Sequence, residues 1–179
     1  MRQILGSIEG EYRRYKTLGE RAIEQLTDDQ LSQVSGSADN SVATLVWHIS
    51  GNLTSRFTDF LRSDGEKPWR DRETEFLRRT VTRSELREKW EKGWTVLFRS
   101  LADLDDEALH AVVKIRAVPL SVHEALHRSL AHTSYHVGQI VFLGKAFRGA
   151  EWRYLSIPPA GSAAYNENPF AEKPPGPSR

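Results

Sequence analysis

The chain has no cysteine and only one methionine among its 179 residues. The lack of cysteine rules out disulfides, a thiolate nucleophile and any cysteine-ligated metal site. A transition metal, if one is bound, must be held by histidines and carboxylates. Net charge is also scarce: 25 Lys and Arg face 24 Asp and Glu, a formal charge of +1. That balance gives no overall field for nucleic acid or an anionic membrane surface, so neither partner is expected. No apolar run approaches the ~18 residues that a membrane span needs. The opening "MRQILGSIEGEYRRYK" reads as an amphipathic helix and lacks the apolar stretch and small-residue cleavage site of a signal peptide. The expected location is cytoplasmic.

What the chain does have is helical periodicity, with 39% hydrophobic residues, enough for a core. Apolar positions recur at helical spacing over 3–26 as Ile4, Ile8, Tyr12, Tyr15, Leu18, Ala22 and Leu26. "LTDDQL" starts a short turn or helix, and "SGSADNS" is a loop whose Asn40 or Ser41 can cap a second long helix over Val42–Leu61. Leu45, Ile49, Leu53, Phe57 and Phe60 form its inner stripe. Residues 62–82 carry Asp-Gly, Lys-Pro and charges of both signs, which reads as a long solvated connection that Pro68 keeps from being helical. Thr82 with Glu85 fits a capping box for a third long helix over 84–102, with Leu86, Trp90, Trp94, Leu97 and Leu101 facing inward. Trp47, Trp90 and Trp94 are expected in the core. "HAVVKIRAVPL" alternates weakly and is compatible with extended chain, and a fourth long helix follows over Val122–Phe147. Close helix packing is the expected reason for Gly138 and Gly144 within it.

Four amphipathic helices without convincing strands give an all-α reading: a four-helix bundle over residues 1–151. An irregular segment packed on the bundle is expected over 152–170, and a disordered tail over 171–179. The connections, roughly 15, 20 and 20 residues long, exceed tight hairpin turns, so at least one crosses over.

Six histidines are present, and "LAHTSYHVGQIVFLGK" (130–145) sets two of them four apart on an apolar helix. Residues four apart stand about 40° apart around a helix and about 6 Å along it. His132 and His136 therefore share a side, roughly that of Ser129, Ile140 and Leu143. Two neutral imidazoles so placed can chelate one divalent ion; the plain alternative is two histidines in ordinary hydrogen bonds. His48, in "VATLVWHISGN" on the second long helix, offers a third donor. Three imidazoles leave a coordination position open for water or substrate. His123 and His127 lie nine residues before His132 and His136, on the opposite side of the helix, and His110 falls in a connection, so these three are not expected as ligands. Asn52, one turn after His48, and Arg56 are the candidate substrate-binding residues, although Arg56 can instead pair with Asp59. Gln139 stands near His136.

The segments "HISGNLTSRFTDFLRSDGEKPWRDRETEF" (48–76), "HTSYHVGQIVFLGK" (132–145) and "WRYLSIPPAGSAAYN" (152–166) together resemble a small bacterial branch of the DinB/YfiT-like superfamily. The resemblance covers the chain to about residue 166 and is strongest in "YHVGQI". It implies a four-helix bundle with a long crossover between the second and third helices. It also implies a divalent metal held by one histidine on the second helix and two on the last, which fall on His48, His132 and His136. Relatives include thiol-dependent transferases, and many are homodimers. The resemblance supplies no catalytic base, because Thr133, Ser134 and Tyr135 stand between the two histidines where a metalloprotease helix carries glutamate.

The expected function is a metal-dependent enzyme that activates a small thiol or water for transfer to a small electrophile. Zn or Ni would be the divalent metal and a low-molecular-weight thiol the cosubstrate that supplies the sulfur this chain lacks. The alternative is a non-catalytic helical bundle or dimerisation module stabilised by its metal.

Overall fold

The computed structural model describes residues 1–36 and 40–169. The expected tail over 171–179 lies outside them. The described chain is mostly helical. Four long helices, α1 (Gln3–Ile23), α3 (Val42–Phe57), α5 (Arg83–Ala102) and α6 (Val122–Arg148), are joined by the short α2 (Asp28–Ser32) and α4 (Arg72–Glu75) and a two-stranded hairpin. α3 packs on α5 and α6, and α1 packs on α6 and α5. Among the described residues no helix is long and apolar enough to cross a membrane.

The helix starts follow local chemistry. Ser41 caps α3 by accepting the Thr44 N–H at 3.1 Å. Thr27 with Gln30, Thr82 with Glu85 and Ser121 with Glu124 form reciprocal capping boxes at α2, α5 and α6. α1 has no such side chain at its own start. Asp106, from the start of the α5–α6 connection, accepts the N–H groups of Ile4 (3.2 Å) and Leu5 (2.9 Å) instead. Arg2 donates to the Leu101 and Leu104 carbonyls, so the first turn is pinned to the end of α5. In that setting Leu5 is fully buried and Ile4, expected inside, is 52% exposed. The stripe Leu5–Ile8–Tyr12 uses the i, i+3, i+7 spacing, and Ile4 falls one position off it.

α3 is buried almost all round, as the central element of the fold must be. Its approach to α5 depends on Gly93, where a Cβ would lie 2.7 Å from the Ser50 Cα. The helix stops at Phe57, short of the expected Leu61, because Thr58 turns extended and Asp59 takes a φ of +49°. Phe60 still reaches the core against Phe57.

The segment over residues 62–82 is the largest departure from the sequence reading. Expected as solvated charge, it turns Lys67, Arg70 and Glu75 inward. Ser55 on α3 holds it, donating to the Gly65 carbonyl at 2.7 Å and accepting the Lys67 N–H at 3.1 Å. Strands also form where none was convincing: β1 (Val112–Ile115) pairs antiparallel with β2 (Val118–Ser121). Their two-residue turn places Arg116 (φ +54°) and Ala117 (φ +63°) in the left-handed region without glycine. Asp64 offsets the strain, its carboxylate accepting both turn N–H groups at 2.8 and 2.6 Å.

After α6 ends at Gly149, Trp152 and Leu155 pack inward, and Gln25 exchanges two hydrogen bonds with Arg153. Beyond Leu155 the described residues are mostly exposed. They include a short helix, α7 (Ser162–Glu167), where irregular chain is expected.

Gly144 meets the Trp152 ring, in line with close packing, but Gly138 faces open space, so packing is not its reason. Opposite outcomes follow for two glycine-to-alanine changes. Gly93→Ala should lower unfolding free energy by about 1–3 kcal/mol, because α3 and α5 must part. Gly138→Ala should raise it by about 0.5–1 kcal/mol, because an open helical site gains propensity. Urea unfolding of the two variants checks both signs.

Candidate metal centre

α3 and α6 cross so that His48 meets the stripe carrying His132 and His136. Each of the three offers a ring nitrogen within 4.8 Å of the others. His132 Nε2 lies 3.0 Å from His48 Nε2 and 3.2 Å from His136 Nε2. His48 and His136 are buried, and His132 is half-buried.

The outer nitrogens fix the tautomers. His48 Nδ1 donates to Glu75 Oε2 at 2.9 Å, and His136 Nδ1 donates to Gln139 Oε1 at 2.8 Å. Both rings therefore aim an Nε2 lone pair at the centre. A single proton on His132 Nε2 can point at only one of them and leaves the other without its own donor, and without that proton three lone pairs converge. His132 Nδ1 is buried without a hydrogen-bond partner among the described residues. A cation at the centre removes the conflict. Imidazole nitrogens ~2.0–2.1 Å from a tetrahedral zinc stand about 3.3 Å apart, close to the separations here. The donor set fits a borderline divalent ion and the second-layer partners that such ligands need.

Glu75 comes from the crossover and closes a relay. Arg70 grips its carboxylate with two hydrogen bonds, Nε to Oε1 at 2.8 Å and Nη2 to Oε2 at 2.9 Å. Gly51 makes the approach possible, because any Cβ there would collide with the Glu75 carboxylate. The Phe76 ring covers His48, with centroids 4.6 Å apart. Burial pushes the Glu75 pKa up, but the hydrogen bonds from Arg70 and His48 and the Arg70 charge outweigh it and hold the group below the usual carboxylate range. Burial, and then the neighbouring His136, His48, Arg70 and Arg56, lower His132 to about 3. Burial also lowers His136, against the pull of Gln139. The His132 imidazole thus stays neutral well below neutral pH, and burial favours the neutral form of His136 as well.

The three imidazoles face a pocket of about 420 Å³. Asn52 and Arg56 both line it. Arg56 pairs with Glu66 at 3.0 Å, not with Asp59, and donates to the Gly65 carbonyl. His123 and His127 meet edge to face at the exposed face of α6, and His110 is exposed on a 3₁₀ turn. Trp90 and Trp94 are buried, while Trp47 is partly buried under the Arg79 guanidinium. The sequence reading missed Glu75, Arg70 and Phe76. The available signal was Gly51, a glycine within a buried helix three residues after His48, which marks a close approach.

The lowered imidazole pKa values have a definite sign. Between pH 6.5 and about 3 the unfolded chain binds a proton that His132 in the folded chain does not. Stability of the chelator-stripped protein is therefore full above pH 6.5 and is lost as pH falls toward 3. Melting temperature measured from pH 7.5 to 5 should fall with acidification, and His132→Phe should flatten the slope. An unchanged slope would contradict the burial argument.

Residues 1–161 match a family described as "Protein of unknown function (DUF1572)". Among solved structures, a conserved protein from Enterococcus faecalis is similar, with a TM-score of 0.64 and 17% identity over 81% of this chain and 96% of that one. At that identity the likeness shows the fold alone. No curated protein matches the chain significantly. The match over residues 1–161 places this chain in the DUF1572 family.

Proposed function

We propose that this chain is a metal-dependent enzyme of DinB/YfiT-like four-helix-bundle architecture, acting on a small molecule in the cytoplasm and assembling as a homodimer. The observation that carries the reading is the convergence of three Nε2 atoms, two of them oriented by Glu75 and Gln139. A bound divalent ion, Zn or Ni foremost, supplies Lewis-acid charge that favours deprotonation of a water or thiol beside it. The closed packing of the long helices α1, α3, α5 and α6 supports the bundle assignment.

The chain's own residues set the conditions for that chemistry. His48, His132 and His136 present ring nitrogens that converge on one point. Glu75 and Gln139 hold two of the rings in position, and Arg70 keeps the Glu75 carboxylate ionised. Asn52 faces the pocket with an amide able to donate and accept. Phe57, Phe60 and Phe76 exclude water from part of the wall. With no cysteine in the chain, a sulfur nucleophile has to come from a low-molecular-weight thiol cosubstrate. The pocket beside the imidazoles favours this reading over a closed structural metal site, which leaves no room for substrate.

Elemental analysis of protein purified without a metal affinity column should give about one divalent ion per chain. His132→Ala or His136→Ala should abolish it. Glu75→Gln should weaken metal affinity by about 10–100-fold with the fold intact, as loss of an orienting partner does. Turnover of the loaded protein against a panel of thiols and electrophiles then tests the enzymatic half. Stoichiometric metal with no turnover on any pair would leave the stabilised, non-catalytic bundle.

A further inference from the structure

The pocket over the imidazoles has a one-sided lining. Arg56, Arg70, Arg72, Arg116 and Arg128 all border it, and among the described residues no Asp or Glu does. The chain as a whole is nearly neutral, so this concentration of positive charge is local. Carboxylates behind the wall answer part of it. Glu75 takes Arg70, and Glu66 takes Arg56 at 3.0 Å and Arg116 at 3.1 Å. With Arg70 also 3.8 Å from Glu66, more than one cation faces that single charge, which leaves an excess there. Arg72 lies over the Phe76 ring, and among the described residues its one carboxylate partner is the exposed Glu73. Arg128 is exposed, and its side chain makes no hydrogen bond or ion pair with any described residue.

Position makes Arg128 the notable member. Arg128, His132 and His136 stand at successive i, i+4 steps on one face of α6, so its guanidinium begins one turn from the metal-ligating set. Arg116 reaches the same pocket from the strained hairpin turn that Asp64 holds. Phe57, Phe60 and Ile115 supply an apolar wall. A pocket of about 420 Å³ with apolar walls and a few convergent charged groups suits a small organic molecule.

We propose that this pocket takes a small organic anion, its carboxylate or phosphate held by Arg128 with Arg116 and Arg72, and its carbon skeleton against Phe57, Phe60 and Ile115. The reacting end then lies at His48, His132 and His136. That last clause rests on the metal-dependent reading above; the contact between anion and arginines does not need the metal.

Calorimetric titration of the full chain with benzoate, phenyl phosphate and the neutral benzamide tests it, with the protein metal-loaded and chelator-stripped. Both anions should bind, more weakly as ionic strength rises, and benzamide should bind about tenfold more weakly or worse. The tighter anion identifies the head group. Arg128→Gln should weaken both anions about tenfold in both metal states without changing the melting temperature, and Arg128→Lys should restore part of the loss. Equal binding of benzamide, an Arg128→Gln variant that binds like the parent, or no anion binding at millimolar concentration would overturn the proposal. Anions that bind only the loaded protein, indifferent to Arg128, would place the charge on the metal and also overturn it. A chain that takes up no metal but binds anions through Arg128 would sink the metal-dependent reading and leave this one standing.

Discussion

An imidazole buried on a central helix needs something to do with both ring nitrogens, and α3 cannot supply it. The i−4 carbonyls are already used by the helix, and the neighbours of His48 are Trp47 and Ile49. Leaving one such nitrogen unpaired costs about 1–3 kcal/mol. Glu75 meets the need from 27 residues away, and in doing so it must itself be buried. An unpartnered buried carboxylate is worse, since breaking such a pair costs about 3–5 kcal/mol. Arg70 therefore grips it through two hydrogen bonds. The relay His48–Glu75–Arg70 obliges the crossover to lie against α3, obliges residue 51 to be glycine, and leaves the His48 Nε2 lone pair facing inward. The crossover is thus part of the site and more than a connection between helices.

What was legible in the sequence is what is local. Helical periodicity and side chains three residues ahead of a cap placed α1, α3, α5 and α6 to within a few residues, because both signals act over one or two turns. The grouping of His48, His132 and His136 was legible for a related reason. Two share one helix at fixed spacing, and the third sits on the inner face of the only other long helix with a histidine. The limit shows at Glu75. In a run of alternating charges it is locally indistinguishable from Glu73, which is exposed, and only its partner on another helix separates them. The hairpin turn was hidden in the same way. Arg116-Ala117 carries no glycine or asparagine, the usual mark of two left-handed residues, because Asp64 offsets the strain from 52 residues away. Ile4 and Leu5 differ only in register, and that register is set by Asp106 at the far end of α5.

These long-range partners have a common feature: carboxylates of the crossover and of the α5–α6 connection end on backbone or side-chain donors of other elements. Asp64 ties the crossover to the hairpin, Glu66 ties it to Arg56 and Arg116, and Glu75 ties it to α3. A chain with nearly equal numbers of each charge can spend its acids this way only by leaving some bases unanswered. The surplus collects where the tied elements meet, at the mouth of the pocket.

That surplus constrains the chemistry of the centre. On the metal-dependent reading, a divalent ion on the three imidazoles would add two positive charges beside five guanidinium groups, of which Glu66 and Glu75 neutralise only part. Like charges in a partly desolvated cleft repel, so a loaded centre would carry a field that an incoming anion relieves. Ligand and metal would then favour one another's binding, because each would lower the electrostatic cost of the other. The same field would favour the deprotonated form of a water or thiol held beside the imidazoles. It would also serve a pocket whose described lining holds no carboxylate, because a nucleophile held among so many cations would release its proton to bulk solvent without an acidic base beside it.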